Sequence, residues 1–150
     1  MPDPTLLWMG CGGCSGETQA LLGVEGQASD LLDLIDADGL RLLWHPSLAE
    51  QDLRPIHQAL LDRREHLTVL CVEGSIALAE DGMFDMADGA GKFRIVQSLC
   101  EQADYVLAMG ACAGTSRAFR AAVSSRSHRP WVGSSAEAPS SRPKCRGSLR

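Results

Sequence analysis

Leu6-Leu7-Trp8-Met9-Gly10-Cys11-Gly12-Gly13-Cys14 joins a short apolar run to two cysteines separated by two glycines. A run of this kind reads as a strand buried on both faces, so its end in glycine and cysteine puts two thiols at a strand's carboxyl end. Two residues between cysteines let both sulfurs turn toward one soft metal centre, and glycines let the backbone curl around it without side-chain clashes. A third thiol follows the apolar run Tyr105 to Met109, in Gly110-Ala111-Cys112-Ala113. In an open α/β sheet, ligands gather at the carboxyl ends of the strands. Cys11, Cys14 and Cys112 therefore read together as an iron–sulfur site.

Between these motifs, strands and helices alternate. Cys14-Ser15-Gly16-Glu17 opens a helix running through Thr18 to Leu22, and Leu31 to Ile35 forms a second, capped by Ser29 or Asp30 and stopped near Gly39. Leu40 to Trp44 reads as a strand ending at His45-Pro46. Ser47 is placed to cap a helix carrying Leu48, Leu53, Ile56, Leu60 and Leu61. Leu67 to Val72 is a near-continuous apolar strand, followed by a long Gly/Asp-rich loop from Glu73 through Gly91. Phe93 to Gln102 forms a helix, and Tyr105 to Met109 the fourth strand. This order implies right-handed crossovers and a doubly wound, mostly parallel sheet. Its carboxyl edge would carry the three thiols, His45 and Glu73.

At 150 residues with 45% hydrophobic content, the chain has the length and apolar fraction of a single domain with its own core. It contains no apolar stretch long enough to span a membrane, and its first residues do not read as a signal peptide. A cytoplasmic location is expected, where six irregularly spaced cysteines favour metal or redox chemistry over a disulfide framework. Charge is unevenly spread. Residues 1–114 hold 18 acids against 6 Lys+Arg, a net −12, whereas residues 115–150 hold one acid against 8, a net +7. The last 36 residues also carry nine serines and seven arginines. The expected organisation is an iron–sulfur domain over 1–114 and a disordered Arg/Ser/Pro-rich tail over 115–150. Without interleaved aromatics or a folded basic module, that tail is not read as a nucleic-acid binder.

Four segments, in order, resemble the small, electron-transferring subunit of uptake-type nickel–iron hydrogenases. They are Leu6 to Gly16, Leu42-Leu43-Trp44-His45-Pro46-Ser47-Leu48, Val72-Glu73-Gly74-Ser75-Ile76 and Gly110-Ala111-Cys112-Ala113. The resemblance covers only the amino-terminal portion of such a subunit. It implies a flavodoxin-like domain holding a proximal [4Fe–4S] cluster beside the nickel–iron site of a separate large subunit. That subunit would turn over hydrogen while this chain, without a membrane span of its own, would move electrons. Location at a membrane would come through partners. By the same resemblance, Cys11, Cys14 and Cys112 match cluster ligands, and Gly12, Gly13 and Gly110 match backbone positions near the cluster. Glu73 matches an acidic residue facing the subunit boundary, where His45 is also placed.

After Gly114 the sequence departs from that family. No Pro-Gly-Cys-Pro-like motif supplies a fourth cluster ligand, because Cys145 lies in Pro143-Lys144-Cys145-Arg146 and reads as a free thiol. The break resembles a reading-frame shift, with a divergent natural tail as the other reading. Cys71, mid-strand, and Cys100, mid-helix, read as core residues. His45 reads first as a structural loop histidine, and Glu73 has the other readings of a helix cap or a solvated charge. Other readings of the whole chain stand beside the hydrogenase one: a thiol–disulfide redox protein using Cys11 and Cys14, a complex I-like iron–sulfur subunit, or a truncated, non-functional hydrogenase fragment.

Overall fold

A computed structural model describes residues 3–23, 30–36, 39–78, 86–87, 90–124 and 131–133. Cys145 and the rest of the chain beyond 133 lie outside these residues. The described chain runs β1 (Thr5–Gly10), α1 (Gly16–Leu22), α2 (Leu31–Asp36), β2 (Arg41–Trp44), α3 (Leu53–Leu61), β3 (Leu67–Glu73) and a short antiparallel pair, β4 (Met86–Ala87) with β5 (Ala90–Gly91). It continues through α4 (Lys92–Gln102), β6 (Ala103–Met109), α5 (Gly110–Gly114), α6 (Arg117–Ser124) and β7 (Trp131–Gly133).

Five strands form one parallel sheet in the order β2-β1-β3-β6-β7. The chain leaves β1 toward β2 on one side and returns to β3 on the other, so the order reverses between β1 and β3. That reversal is the topological switch point of a flavodoxin-like sheet, where the crevice outside the strand ends receives a ligand. The doubly wound, flavodoxin-like expectation holds.

Side-chain alternation along β1 divides the core. Leu7 and Met9 join one buried cluster with Leu53 and Leu60 of α3, Ile95, Val96 and Leu99 of α4, and Phe119 of α6. Leu6 and Trp8 point the other way, into a smaller cluster with Cys71 and Leu31, against which Leu21 and Leu22 of α1 pack. Helices therefore cover both faces, which is why the central strands read as unbroken apolar runs rather than alternating ones.

One expectation is corrected. Ser47 does not start α3: residues 46–48 form a turn closed by Ala49 N–H donating to His45 O at 2.9 Å, and the helix begins at Leu53 after Asp52. Pro55 explains this. A helix from Ser47 would bury the proline in its interior, whereas one beginning at Leu53 holds it in the first turn, where an amide hydrogen has no intrahelical partner anyway. The boundary expected at Gly114 falls between α5 and α6. Ordered structure continues beyond it, with Ala118, Phe119, Ala122 and Val123 of α6 buried and β7 paired to β6 through Val106↔Trp131 and Leu107↔Val132. Small alanines and one aromatic give α6 an apolar stripe that its arginines and serines mask in the composition.

Candidate metal centre at the sheet's carboxyl edge

The backbone itself joins the segments after β1 and β3. The parallel ladder between them reaches Gly10↔Glu73, and Cys11 N–H then donates to Glu73 O at 2.8 Å. Beyond it, Gly12 and Ser75 exchange N–H···O bonds in both directions at 2.9 Å, and the Ser75 hydroxyl donates to Gly12 O at 3.1 Å. This closeness needs glycine at position 74. Its φ is +85°, and a Cβ there would stand 2.9 Å from Gly12 O. Gly13 is equally close, since a Cβ on it would lie 3.2 Å from the Gly74 Cα.

The third segment reaches the same edge from β6. Strands β1 and β6 flank β3, so their carboxyl ends stand about 10 Å apart, two strand spacings. At the end of β6 the chain turns through Gly110, with φ +74°, straight into α5, which carries Cys112 in its first turn. A Cβ on Gly110 would fall 1.7 Å from Glu17 Oε1, so the α1 side chain lies directly against this turn. Cys14 and Cys112 are exposed, and Cys11 is half-buried against the larger core cluster.

Glu73 closes the site from beneath. Only 4% exposed, it receives the Trp8 Nε1–H at 2.9 Å on Oε2 and the amides of Glu17 and Thr18 at 3.1 Å on Oε1, while the Thr18 hydroxyl donates to Oε2. Burial pushes the carboxyl up, but hydrogen bonds from Thr18, Trp8 and Glu17 outweigh it and hold the group below the ordinary carboxylate range. Its negative charge also satisfies amides at the start of α1 that have no intrahelical acceptor. Trp8 and Thr18, which the sequence does not advertise as polar partners, thereby become part of the site's support.

His45 is fully buried, its ring 5.5 Å from that of Trp8. Its Nδ1 accepts the Ser47 N–H at 3.0 Å, and Nε2 has no hydrogen-bond partner among the described residues. Burial lowers its pKa, partly offset by the charge of Glu73. The following Pro46 packs on Gly10, where a Cβ would meet the proline ring at 3.2 Å. The loop after β2 thus buttresses the segment that leads into Cys11.

Among the described residues, no three His, Cys, Asp or Glu side chains stand together as a ready single-ion site. An iron–sulfur cluster makes a different demand, because its ligands are shared among several irons rather than crowded round a point. The residues present fit such a group in their donor chemistry: three thiols follow β1 and β6, the two strands that flank β3, at one edge of the sheet. Cys71 and Cys100 do not belong to this set. Both are buried in the core, and burial pushes the Cys71 thiol up to about 12. Clefts lined by Arg63, Glu65, His66 and Glu101 lie at the opposite, amino-terminal ends of β3 and β6.

No helix among the described residues is long and apolar enough to cross a membrane. A search of curated proteins returned no match. Solved structures supply the fold. A reduced, active Ni-Fe-Se hydrogenase from Desulfomicrobium baculatum matches with a TM-score of 0.69 at 15% identity, over 87% of this chain and 55% of that one. The actinobacterial-type NiFe-hydrogenase from Ralstonia eutropha H16 matches at 0.62 and 22% identity, over 76% of this chain and 38% of that one. A recombinant [NiFeSe] hydrogenase from Desulfovibrio vulgaris Hildenborough gives 0.59 and 21%, over 75% and 41%. The chain thus spans about half or less of the length of each of these structures. The model for the NADH ubiquinone oxidoreductase 20 Kd subunit matches residues 11–140, past Gly114 and across most of the chain. The chain belongs to the NADH ubiquinone oxidoreductase 20 Kd subunit family.

Proposed function

We propose that this chain is the electron-transfer subunit of a nickel–iron hydrogenase, with Cys11, Cys14 and Cys112 holding a proximal [4Fe–4S] cluster next to a large subunit that carries the nickel–iron site. The observation that supports this reading is the packing of the β3 loop on the Cys11–Cys14 loop through Gly74 at the β1/β3 switch point, with Cys112 following β6, the strand on the other side of β3. When bound, the cluster supplies one-electron transfer. The chain's own residues do the holding. Thiolates of Cys11, Cys14 and Cys112 would bind iron, Gly12, Gly13 and Gly110 would stand at backbone positions beside it, and Glu73 fixes the start of α1, which follows Cys14. In this reading Glu73 and His45 serve the subunit boundary from behind, by setting the shape of the exposed loop.

A second reading, an iron–sulfur subunit of a complex I-like enzyme, is favoured by the name of the matched family. It uses the same three thiols and differs in the partner. The full chain co-expressed with a nickel–iron hydrogenase large subunit and purified anaerobically separates these readings. Hydrogen-dependent dye reduction by the pair, absent from either chain alone, supports the hydrogenase reading. A cluster-bearing chain that never associates with the large subunit supports the second. A chain that binds no iron but reduces disulfides through Cys11 and Cys14 removes both.

A further inference from the structure

Charge is divided between the two faces of the sheet. The helices of one face, α1 and α2, carry acids, Glu17 and Asp33 among them, and no lysine or arginine. On the other face α4 and α6 pack side by side, and there Lys92, Arg94, Arg117 and Arg120 stand against one acid, Glu101. Arg94, Arg117 and Arg120 are exposed, and neither the Arg117 nor the Arg120 guanidinium is paired with a carboxylate among the described residues.

The basic side chains are gathered at one end. Helix α4 leads into the start of β6, and α6 follows α5 at the end of β6, so both helices begin at the sheet's carboxyl edge. All four basic residues lie in the first four positions of their helices, whereas Glu101 lies at the far end of α4. Arg117 comes five residues after Cys112, with only Thr115 and Ser116 between α5 and α6. Helix stability does not account for this arrangement, since cations at a helix start oppose its dipole. The exposed large apolar side chains, Leu32, Leu48, Leu61, Leu78 and Tyr105, all lie outside α4 and α6. A charged face poor in apolar groups, next to a redox edge, suits a small, transient electron-transfer contact. A permanent subunit interface is more hydrophobic, and a membrane surface takes apolar side chains as well as basic ones.

We propose that the surface formed by the first turns of α4 and α6 docks a small acidic electron-carrier protein beside the cluster edge. This rests on the electron-transfer reading above and names a partner for it. Opposite charge steers the carrier to this face. The docked carrier exchanges one electron with the cluster, one centre oxidised as the other is reduced, with no bond made or broken.

The test is binding of the full, anaerobically reconstituted chain to an acidic [2Fe–2S] ferredoxin, followed by surface plasmon resonance. Association is expected to slow as salt rises from about 0.01 M to about 1 M and the Debye length shrinks from about 30 Å to about 3 Å. Arg117→Glu with Arg120→Glu is expected to slow association about tenfold, and the milder Arg117→Gln with Arg120→Gln by a smaller factor. Arg63→Gln, at the opposite edge of the sheet, is expected to leave it unchanged. Absence of salt-sensitive binding, or binding that survives charge reversal at 117 and 120, overturns the proposal. So does retention on phosphatidylglycerol vesicles without binding to ferredoxin, which makes the face a membrane surface. In either case the iron and sulfide content of the same preparation shows whether the electron-transfer reading stands. A chain that binds ferredoxin but takes up no iron overturns that reading, and the docking of an electron carrier with it.

Discussion

The indole Nε1–H of Trp8, on β1, donates to Oε2 of Glu73, at the end of β3, across 2.9 Å inside the fold. This one bond ties together the two strands between which the sheet order reverses, directly under the cysteine loop. It also makes Glu73 a structural anion first, whatever its effect on the boundary. Removing the carboxylate leaves the Trp8 indole, the Thr18 hydroxyl and two amides without their acceptor. Glu73→Ala is therefore expected to destabilise the chain by about 3–5 kcal/mol. Trp8→Phe, which removes one donor to a charged group, costs about 1.5–3 kcal/mol. Urea unfolding of both variants measures the difference.

Acid should weaken the fold in two steps. His45 has its pKa lowered from the ordinary 6.5, so below pH 6.5 the unfolded chain takes up a proton that the folded chain resists, and stability falls with pH until the folded histidine also titrates. Glu73 is lowered from 4.5, so the stability it contributes is complete above pH 4.5 and is lost as pH falls through the folded value. Unfolding free energy measured from pH 8 to pH 3 should decline in both windows. His45→Phe should flatten the upper window and Glu73→Gln the lower one. Unchanged slopes in these variants would contradict the assignments.

Glycine is required unequally at the left-handed positions 74 and 110. Gly74→Ala places its Cβ against the Gly12 backbone, which cannot swing aside, in addition to about 1–2 kcal/mol for a left-handed φ. Gly110→Ala carries the same backbone cost, but its neighbour is the end of the Glu17 side chain, which can move. Thermal unfolding should rank Gly74→Ala as the more damaging. The reverse order would mean that the junction between the β1 and β3 loops is looser than described.

Thiol reactivity should divide the cysteines. In the metal-free folded chain, exposed Cys14 and Cys112 should alkylate quickly at pH 8. Cys71, its pKa raised to about 12 by burial, and buried Cys100 should react only on unfolding. Mass spectrometry of a short iodoacetamide pulse reads this directly.

What the sequence disclosed, and what it hid, follows from how much of each signal was local. The strands β1, β3 and β6 are near-continuous apolar runs because helices cover the sheet, and each runs into a glycine at the carboxyl edge, Gly10, Gly74 and Gly110. The three thiols could therefore be assigned to one edge before any coordinates. The start of α3 misled because Ser47 has the chemistry of a cap, while the deciding residue, Pro55, lies eight positions further along. The segment α6 was hidden by its arginines and serines. Its signals were Ser116, whose hydroxyl accepts the Phe119 N–H at 3.3 Å, and buried Ala118, Phe119, Ala122 and Val123 at helical spacing. The network of Trp8, Thr18, Glu17 and Gly110 was not legible, since each contact joins residues distant in sequence and neither an apolar period nor a motif encodes it.

The central claim is that three thiols at the switch point hold one iron–sulfur cluster. The most direct measurement is iron and labile-sulfide content, with the visible absorption of the cluster, after anaerobic reconstitution of the wild-type chain and of Cys11→Ser, Cys14→Ser, Cys112→Ser and Cys100→Ser. Wild type and Cys100→Ser should hold the same cluster, and each of the other three should lose most of it. A cluster that survives loss of Cys112, or a wild-type chain that takes up no iron, would contradict the account.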